Sequence, residues 1–348
     1  MESCTLPEER EKRQWKSKER HASGMGGRKP WMGVGWVMTL RWVASMYNCK
    51  HNSWVKQALS NSNESARGYS KAAFKVELDS KPYILKTNGY TGEKFDMDSM
   101  KKGSFQPQFR LRKELPPLPK NPKPYIREME TLKKFSSPGL PKLEGYCVSK
   151  EFTWVLLEHA QDSLRALPAR QPTESDVYRM ATSVLCLFRK YPQLGIGTDA
   201  GGQQYAFTAN WQIKVVDVDI LATKKIYVAN VRKQIGKNTC SSDVNCKNLL
   251  KKAFSGREVQ RCITVQCQNR KCIYDERNFE KDTACALAEG AFKPLLRFGF
   301  PNKIYQMCRG NPQNRPRIDQ LFHLLCSSNP HCNEGSLYSQ CVESALDR

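Results

Sequence analysis

The chain has 348 residues, a net charge of +22, a hydrophobic content of 39% and aromatics at 10%. Those values suit a folded chain with a substantial core and exclude wholesale disorder. Neither zinc-finger spacing nor an aromatic RNA-binding signature accompanies the charge, so no nucleic-acid partner is expected; acidic partners of other kinds are.

Residues 1–30 are polar and basic and lack the pattern of a short signal peptide. Residues 31–47 (WMGVGWVMTLRWVASMY) are apolar apart from Arg41. They read either as a short signal anchor, giving a single-span membrane attachment, or as a Trp-rich interfacial helix. The stretch is shorter than the roughly 20 residues of a comfortable span, and a central arginine costs about 2.5–3.5 kcal/mol there. Residues 48–66 are polar and read as a linker, and Asn63-Glu64-Ser65 is a glycosylation sequon.

The folded part is expected from residue 67 onward. Phe74-Lys75-Val76-Glu77-Leu78 alternates as a strand does, Asp79-Ser80 turns, and Lys81 to Lys86 returns, which predicts a hairpin. Residues 90–124 are rich in Lys, Pro and Gly and read as a surface insertion. Asp96 and Asp98 within it suggest a calcium loop, but Lys101 stands where the sharp turn needs glycine, so that reading is discarded. Helical spacing of Met129, Leu132 and Phe135 predicts a helix over 126–135, then strands over 143–148 and 153–157. An amphipathic helix is expected over 175–191, a β-branched strand at Ile213-Lys214-Val215-Val216, and helices near 286–298 and 318–325. Strands first and helices later predict an α+β body of two lobes.

Ten of the 14 cysteines lie from Cys240 onward, without a CxxC pair. Structural zinc sites usually draw their ligands from such pairs, so the density predicts disulfides and an oxidising compartment.

The chemistry-bearing residues stand at fixed separations. Asp217 ends the Ile213 strand with Asp219 two residues on, a pattern that can hold a divalent cation against phosphate oxygens. Asp199 lies 18 residues before Asp217, Lys86 ends a strand in Tyr83-Ile84-Leu85-Lys86, and Glu128 stands ten residues before Pro138. Glu158 closes Trp154-Val155-Leu156-Leu157-Glu158, Gly68 opens Gly68-Tyr69-Ser70-Lys71, and Asn311-Pro312-Gln313-Asn314-Arg315-Pro316 precedes the last helix.

In that order these elements resemble a protein kinase domain over about residues 67–326. The 68–76 segment sits where kinases carry the glycine-rich loop, Lys86 matches the strand lysine of V-A-I-K, and Glu128 (or Glu130) matches its helix glutamate. Glu158 matches the hinge, Asp199 the catalytic-loop aspartate, and Asp217-Val218-Asp219 stands for D-F-G. Arg315-Pro316 resembles the late N-x-R-P. The pattern is also departed from. Gly68 is the loop's only glycine, Gly197-Thr198 replaces the histidine-arginine pair, Gly201 replaces a lysine, and Gln204 replaces the metal-binding asparagine. No A-P-E motif occurs.

With Cys240 and Cys246 in an insertion beyond Asp219, these departures resemble the divergent, cysteine-rich kinase-like proteins of the secretory pathway, of the divergent protein kinase domain and deleted-in-autism type. The resemblance implies a bilobal protein-kinase-like fold, with an N-lobe over 67–160 and a C-lobe over 161–348 carrying the Cys-rich segment 240–285 and a Cys-containing tail. It implies ATP with Mg2+ or Mn2+ as cofactors, an endoplasmic-reticulum or Golgi location (anchored, lumenal or secreted), and a secretory-pathway protein as substrate or partner. Catalysis would fall to Asp199, Lys86 and Glu128, nucleotide binding to Lys86, Glu158 and Gly68, and metal binding to Asp217, Gln204 and Asp219. A catalytically weak or inactive pseudokinase, acting as a binding module, is the alternative.

Overall fold

The computed structural model describes residues 47–60, 64–67, 72–87, 123–149, 153–197, 200–236, 239–253, 257–329 and 341. The 31–47 segment apart from Tyr47, the sequon's Asn63, the 90–122 part of the insertion, Gly68 and Asp199 all lie outside them. Among the described residues no helix is long and apolar enough to cross a membrane.

The architecture is mixed α and β. A five-stranded antiparallel sheet is built from β1 (Glu64–Arg67), β2 (Ala72–Leu78), β3 (Lys81–Thr87), β4 (Leu143–Cys147) and β5 (Trp154–Glu158) in the order β1-β2-β3-β5-β4. The β2–β3 hairpin turns at Asp79 and Ser80, both with positive φ, as a tight two-residue connection between right-twisted strands demands. Side-chain alternation fixes what each face buries. Phe74, Val76, Leu78, Leu85, Trp154 and Leu156 join one hydrophobic cluster with Tyr47, Val55 and Leu59; Val155 and Leu157 join the other. Lys86 follows Leu85 and so points with Ile84 toward that second side.

Residues 48–60, expected within a linker, instead form part of this layer. Helix α1 (Asn52–Ser60) lays Val55 and Leu59 on the sheet. Asn52 accepts a hydrogen bond from the Trp154 indole (2.8 Å), and the Cys49–Cys147 disulfide staples the segment to β4. Val55 and Leu59, four apart, are buried, and Trp54 and Ala58 pack partly buried beside them. The polar surroundings hid them.

Helix α2 (Lys123–Lys134) crosses between β3 and β4 in sequence and buries Tyr125, Glu128 and Leu132. Below it the chain is mainly helical. Strand β6 (Asp162–Ser163) is followed by α3 (Glu174–Lys190), which opens on a capping box between Thr173 and Asp176 and buries most of its length. Short strands β7 (Leu194–Ile196), β8 (Tyr205–Phe207), β9 (Ile213–Val215) and β10 (Leu221–Thr223) pair as β10-β7 and β6-β8-β9. Then come α4 (Lys224–Ile235), α5 (Asp243–Ala253), α6 (Arg257–Cys262) and the hairpin of β11 (Gln266–Gln268) and β12 (Lys271–Ile273). Helices α7 (Phe279–Leu287), α8 (Asn302–Arg309) and α9 (Ile318–Ser328) complete the body. The helix expected near 286–298 is the tail of α7, broken into a π turn (Ala288–Phe292) and a 3-10 turn (Lys293–Phe298) around Gly290 and Pro294.

The disulfide expectation holds. Cys240–Cys267 and Cys246–Cys272 pin the segment entering α5, and α5 itself, to the β11–β12 hairpin, Cys262–Cys285 pins α6 to α7, and Cys186–Cys341 ties α3 to the tail. Cys326 is disulfide-bonded as well, and Cys308 is a buried free thiol. The sulfurs of Cys240, Cys246 and Cys272 gather within 4.8 Å, but each belongs to a disulfide and offers no thiolate to a metal. This density of cystines belongs to an oxidising environment such as the secretory pathway or the extracellular space.

Candidate functional site

Lys86 stands in β3 opposite Val155 of β5 and Ala73 of β2, one step beyond the Arg67–Ala72 pair that closes the β1–β2 connection. Its side chain is 9% exposed and ion-pairs with Glu128, whose side chain is fully buried on α2. The same ammonium donates to the carbonyl of Val216 at 2.6 Å. Each member of this pair depends on the other. Removing one leaves a buried charge uncompensated, at a cost of about 3–5 kcal/mol. The position of Glu128 follows from helical spacing: Tyr125, Glu128 and Leu132 share one face, so the carboxylate is carried inward with the apolar contacts.

Val216 is the joint of the site. Its N–H donates to the carbonyl of Gln204 at 3.0 Å, its carbonyl accepts from Lys86, and the next residue is Asp217. Gln204 ends a 3-10 turn (Gly202–Gln204) and leads into β8, which pairs with β9 through Tyr205 and Val215. Asp217 caps the 3-10 turn Val218–Ile220, its Oδ1 accepting from the Asp219 N–H at 3.4 Å. That turn packs against α2, where Arg127 donates to the Leu221 carbonyl at 3.5 Å. Lys86, Glu128, Gln204, Asp217 and Asp219 are therefore brought to one place by the meeting of β3, α2, β8 and β9.

Glu158 lies at the other end of β5 from Trp154 and opposite Tyr83, three positions along β3 from Lys86. Its carboxylate is engaged. Oε2 accepts from the Lys214 ammonium at 2.8 Å and from the Lys142 N–H at 3.0 Å, while its own N–H donates to the Lys142 carbonyl at 2.9 Å. Lys214, on β9 two residues before Val216, is buried and also donates to the Leu140 carbonyl at 3.4 Å. Beside it, burial and then the Lys75 ammonium hold the His159 imidazole below its usual pKa.

Gly290 reaches the site from below. A Cβ there would overlap the carbonyl of Ala200 and stand 2.7 Å from the Tyr205 ring, so the π turn presses directly on the backbone leading to Gln204. Close approach of this kind requires glycine.

Sequence reasoning missed Val216, Lys214 and Gly290. A carbonyl acceptor leaves no mark on the residue that bears it, and a strand lysine looks like any other. Gly290 interrupting an apolar helical run was the one visible signal.

Chemically, the arrangement sets a buried, neutralised ammonium beside two carboxylates on a tight turn. The two carboxylates offer oxygen ligands to a hard divalent cation, which can in turn balance clustered negative charge. The chain matches no family model, and no curated protein matches it in sequence.

Proposed function

We propose that the chain is a protein-kinase-like protein of the secretory pathway that binds ATP with a divalent metal and transfers phosphate to a protein hydroxyl. The observation that carries this reading is the buried Lys86–Glu128 pair, whose ammonium also bonds the residue next to Asp217. A two-lobed kinase-like organisation is supported by α2 lying between β3 and β4, by the sheet order β1-β2-β3-β5-β4, and by the mainly helical body that follows.

Oxygen donors on Asp217, Gln204 and Asp219 fit Mg2+ or Mn2+, and the Lys86 ammonium fits phosphate oxygens. Bound ATP would supply the transferable phosphoryl group, and the metal would offset charge on its oxygens. Lys86 would hold phosphate, with Glu128 fixing its direction. The β1–β2 connection that includes Gly68 would cover the phosphates, and the backbone around Glu158 would border the base. Asp199 would orient the acceptor hydroxyl, since such catalysis is mostly positioning and charge stabilisation. The disulfides support a lumenal or secreted setting, and the endoplasmic reticulum or Golgi is our assignment within it.

A pseudokinase acting as a binding module is the second reading. Its support is Gly201, which stands where a kinase lysine would help the acceptor aspartate and leaves that charge unsupplied. Incorporation of labelled phosphate from ATP separates the two. Phosphotransfer predicts incorporation that Asp199→Asn lowers by at least a hundredfold, within the range general-base positioning commonly provides. No incorporation into any acceptor by wild type, despite nucleotide binding, would leave the pseudokinase.

A further inference from the structure

Directly after β10, the first face of α4 borders an open groove of about 570 Å³ lined by Gln193, Thr223, Lys224, Lys225, Val228, Arg232 and their neighbours. Lys225, Val228, Ala229 and Arg232 stand at i, i+3, i+4 and i+7, the spacing of one helical stripe, so the floor is apolar and a cation marks each end. Val228 is buried, whereas Lys224, Lys225 and Arg232 are exposed. Ile226, at 45% exposure, adds an apolar group on the same first turn.

The lining includes a single carboxylate, that of Glu276, and it is weakly committed. Glu276 stands 3.8 Å from Arg232, both more than half exposed, and Asp275 is held by Arg277 at 2.6 Å. An exposed pair such as Arg232–Glu276 contributes about 0–1 kcal/mol, so a competing carboxylate displaces it at little cost.

We infer that this groove docks an acidic peptide segment in the polyproline II conformation, with carboxylates about three residues apart flanking an apolar side chain. The spacing comes from the stripe. Lys225 and Arg232 are seven helical positions apart, roughly 10 Å along the axis, and a polyproline II segment, with three residues per turn at about 3.1 Å each, presents residues three apart on one face over about 9 Å. An apolar floor between the cations suits a peptide better than a uniformly charged polymer. The groove borders α4, which follows β10 directly, and β10 in turn follows the turn that carries Asp219. Taking that segment as part of the phosphoryl acceptor rests on the reading above; the docking itself does not.

The test measures fluorescence anisotropy of a labelled peptide carrying Glu-Ala-Leu-Glu, without nucleotide, against the purified full chain. A peptide with both Glu replaced by Gln is the comparison. The doubly reversed Lys225→Glu, Arg232→Glu variant is expected to lose about tenfold or more in affinity, as paired charge reversals at a partly exposed site do. Lys86→Ala should keep the affinity, so that loss of nucleotide binding and loss of docking are read separately. Lys81→Glu, Lys271→Glu makes the same charge change at exposed positions outside the groove and should change affinity less than twofold. Equal binding of the Gln peptide, or equal losses in the two doubly reversed variants, would overturn the proposal. So would a sulfated oligosaccharide that binds more tightly than the peptide and is lost in the groove variant, which would assign the groove to a glycan.

Discussion

Asp282 on α7 is fully enclosed, and every neighbour that meets it is a donor. The Thr264 hydroxyl and N–H donate at 2.7 and 3.3 Å, the Tyr274 and Tyr227 hydroxyls at 3.0 and 3.5 Å, and the Arg315 guanidinium lies 3.6 Å away. Burial outweighs these donors and pushes its pKa up to about 7, and the same burial lowers that of Arg315. The folded chain therefore holds a proton on Asp282 between about pH 4 and 7, where an unfolded aspartate has lost it. Stability from this group is present below pH 4, declines as pH rises through that window, and is level above it. Relative to Asp282→Asn, wild type should lose about 1.4 kcal/mol per pH unit across the window. Urea melts of both proteins at half-unit steps check it; a constant difference from pH 4 to 8 would show that Asp282 stays ionised. The Lys86–Glu128 pair meets the same burial with a direct counter-charge. Arg315 was legible as part of an N-x-R-P pattern, but Asp282 was not, because its partners come from the loop after α6, the residue that follows β12, α4 and the loop before α9.

Among the elements, the π turn Ala288–Phe292 has the most direct bearing on the site. π turns are often found at functional sites, and this one lets Gly290 pack on the Ala200 carbonyl while Glu289 ion-pairs with Arg309. Gly290→Ala should cost about 1–3 kcal/mol by overpacking and shift residues 200–204, loosening Gln204 from Val216. A lowered melting temperature together with a smaller nucleotide-induced shift is expected. Wild-type values for both would mean that the π turn does not position that loop. The strands and helices with strong periodicity were readable. β2 alternates cleanly over residues 74–78, the turn at Asp79-Ser80 announces β3, and the apolar spacing of α2, α3 and α9 matches 3.6 residues per turn. What escaped was set by tertiary partners. Helix α1 carries Trp54, Val55, Ala58 and Leu59 on a short helix within a polar stretch and is held by Trp154 and the Cys49–Cys147 bridge. The break in α7 exists to fit the backbone at Ala200.

At the scale of the whole molecule, two apolar clusters and a set of cystines hold a chain of net charge +22 together. Self-repulsion from that charge works against compactness, and the cystines offset it by restricting the unfolded chain, typically by about 2–4 kcal/mol each. Cysteine density alone made this legible; the pairing was not, since it depends on which backbones the fold brings within reach. The convergence of Lys86, Glu128 and Asp217 was readable from separation along the chain because three strands and one helix fix it. Whether that convergence serves a nucleotide is decided by thermal unfolding with Mn2+ and ATP. A ligand at 100 times its Kd that binds only the folded state adds about 2.7 kcal/mol, a rise of several degrees. Wild type should show that rise, while Lys86→Ala and Asp217→Ala, each compared with its own unliganded melt, should show less than a quarter of it. Equal rises in all three proteins, or none in wild type, would contradict a nucleotide site built on these side chains.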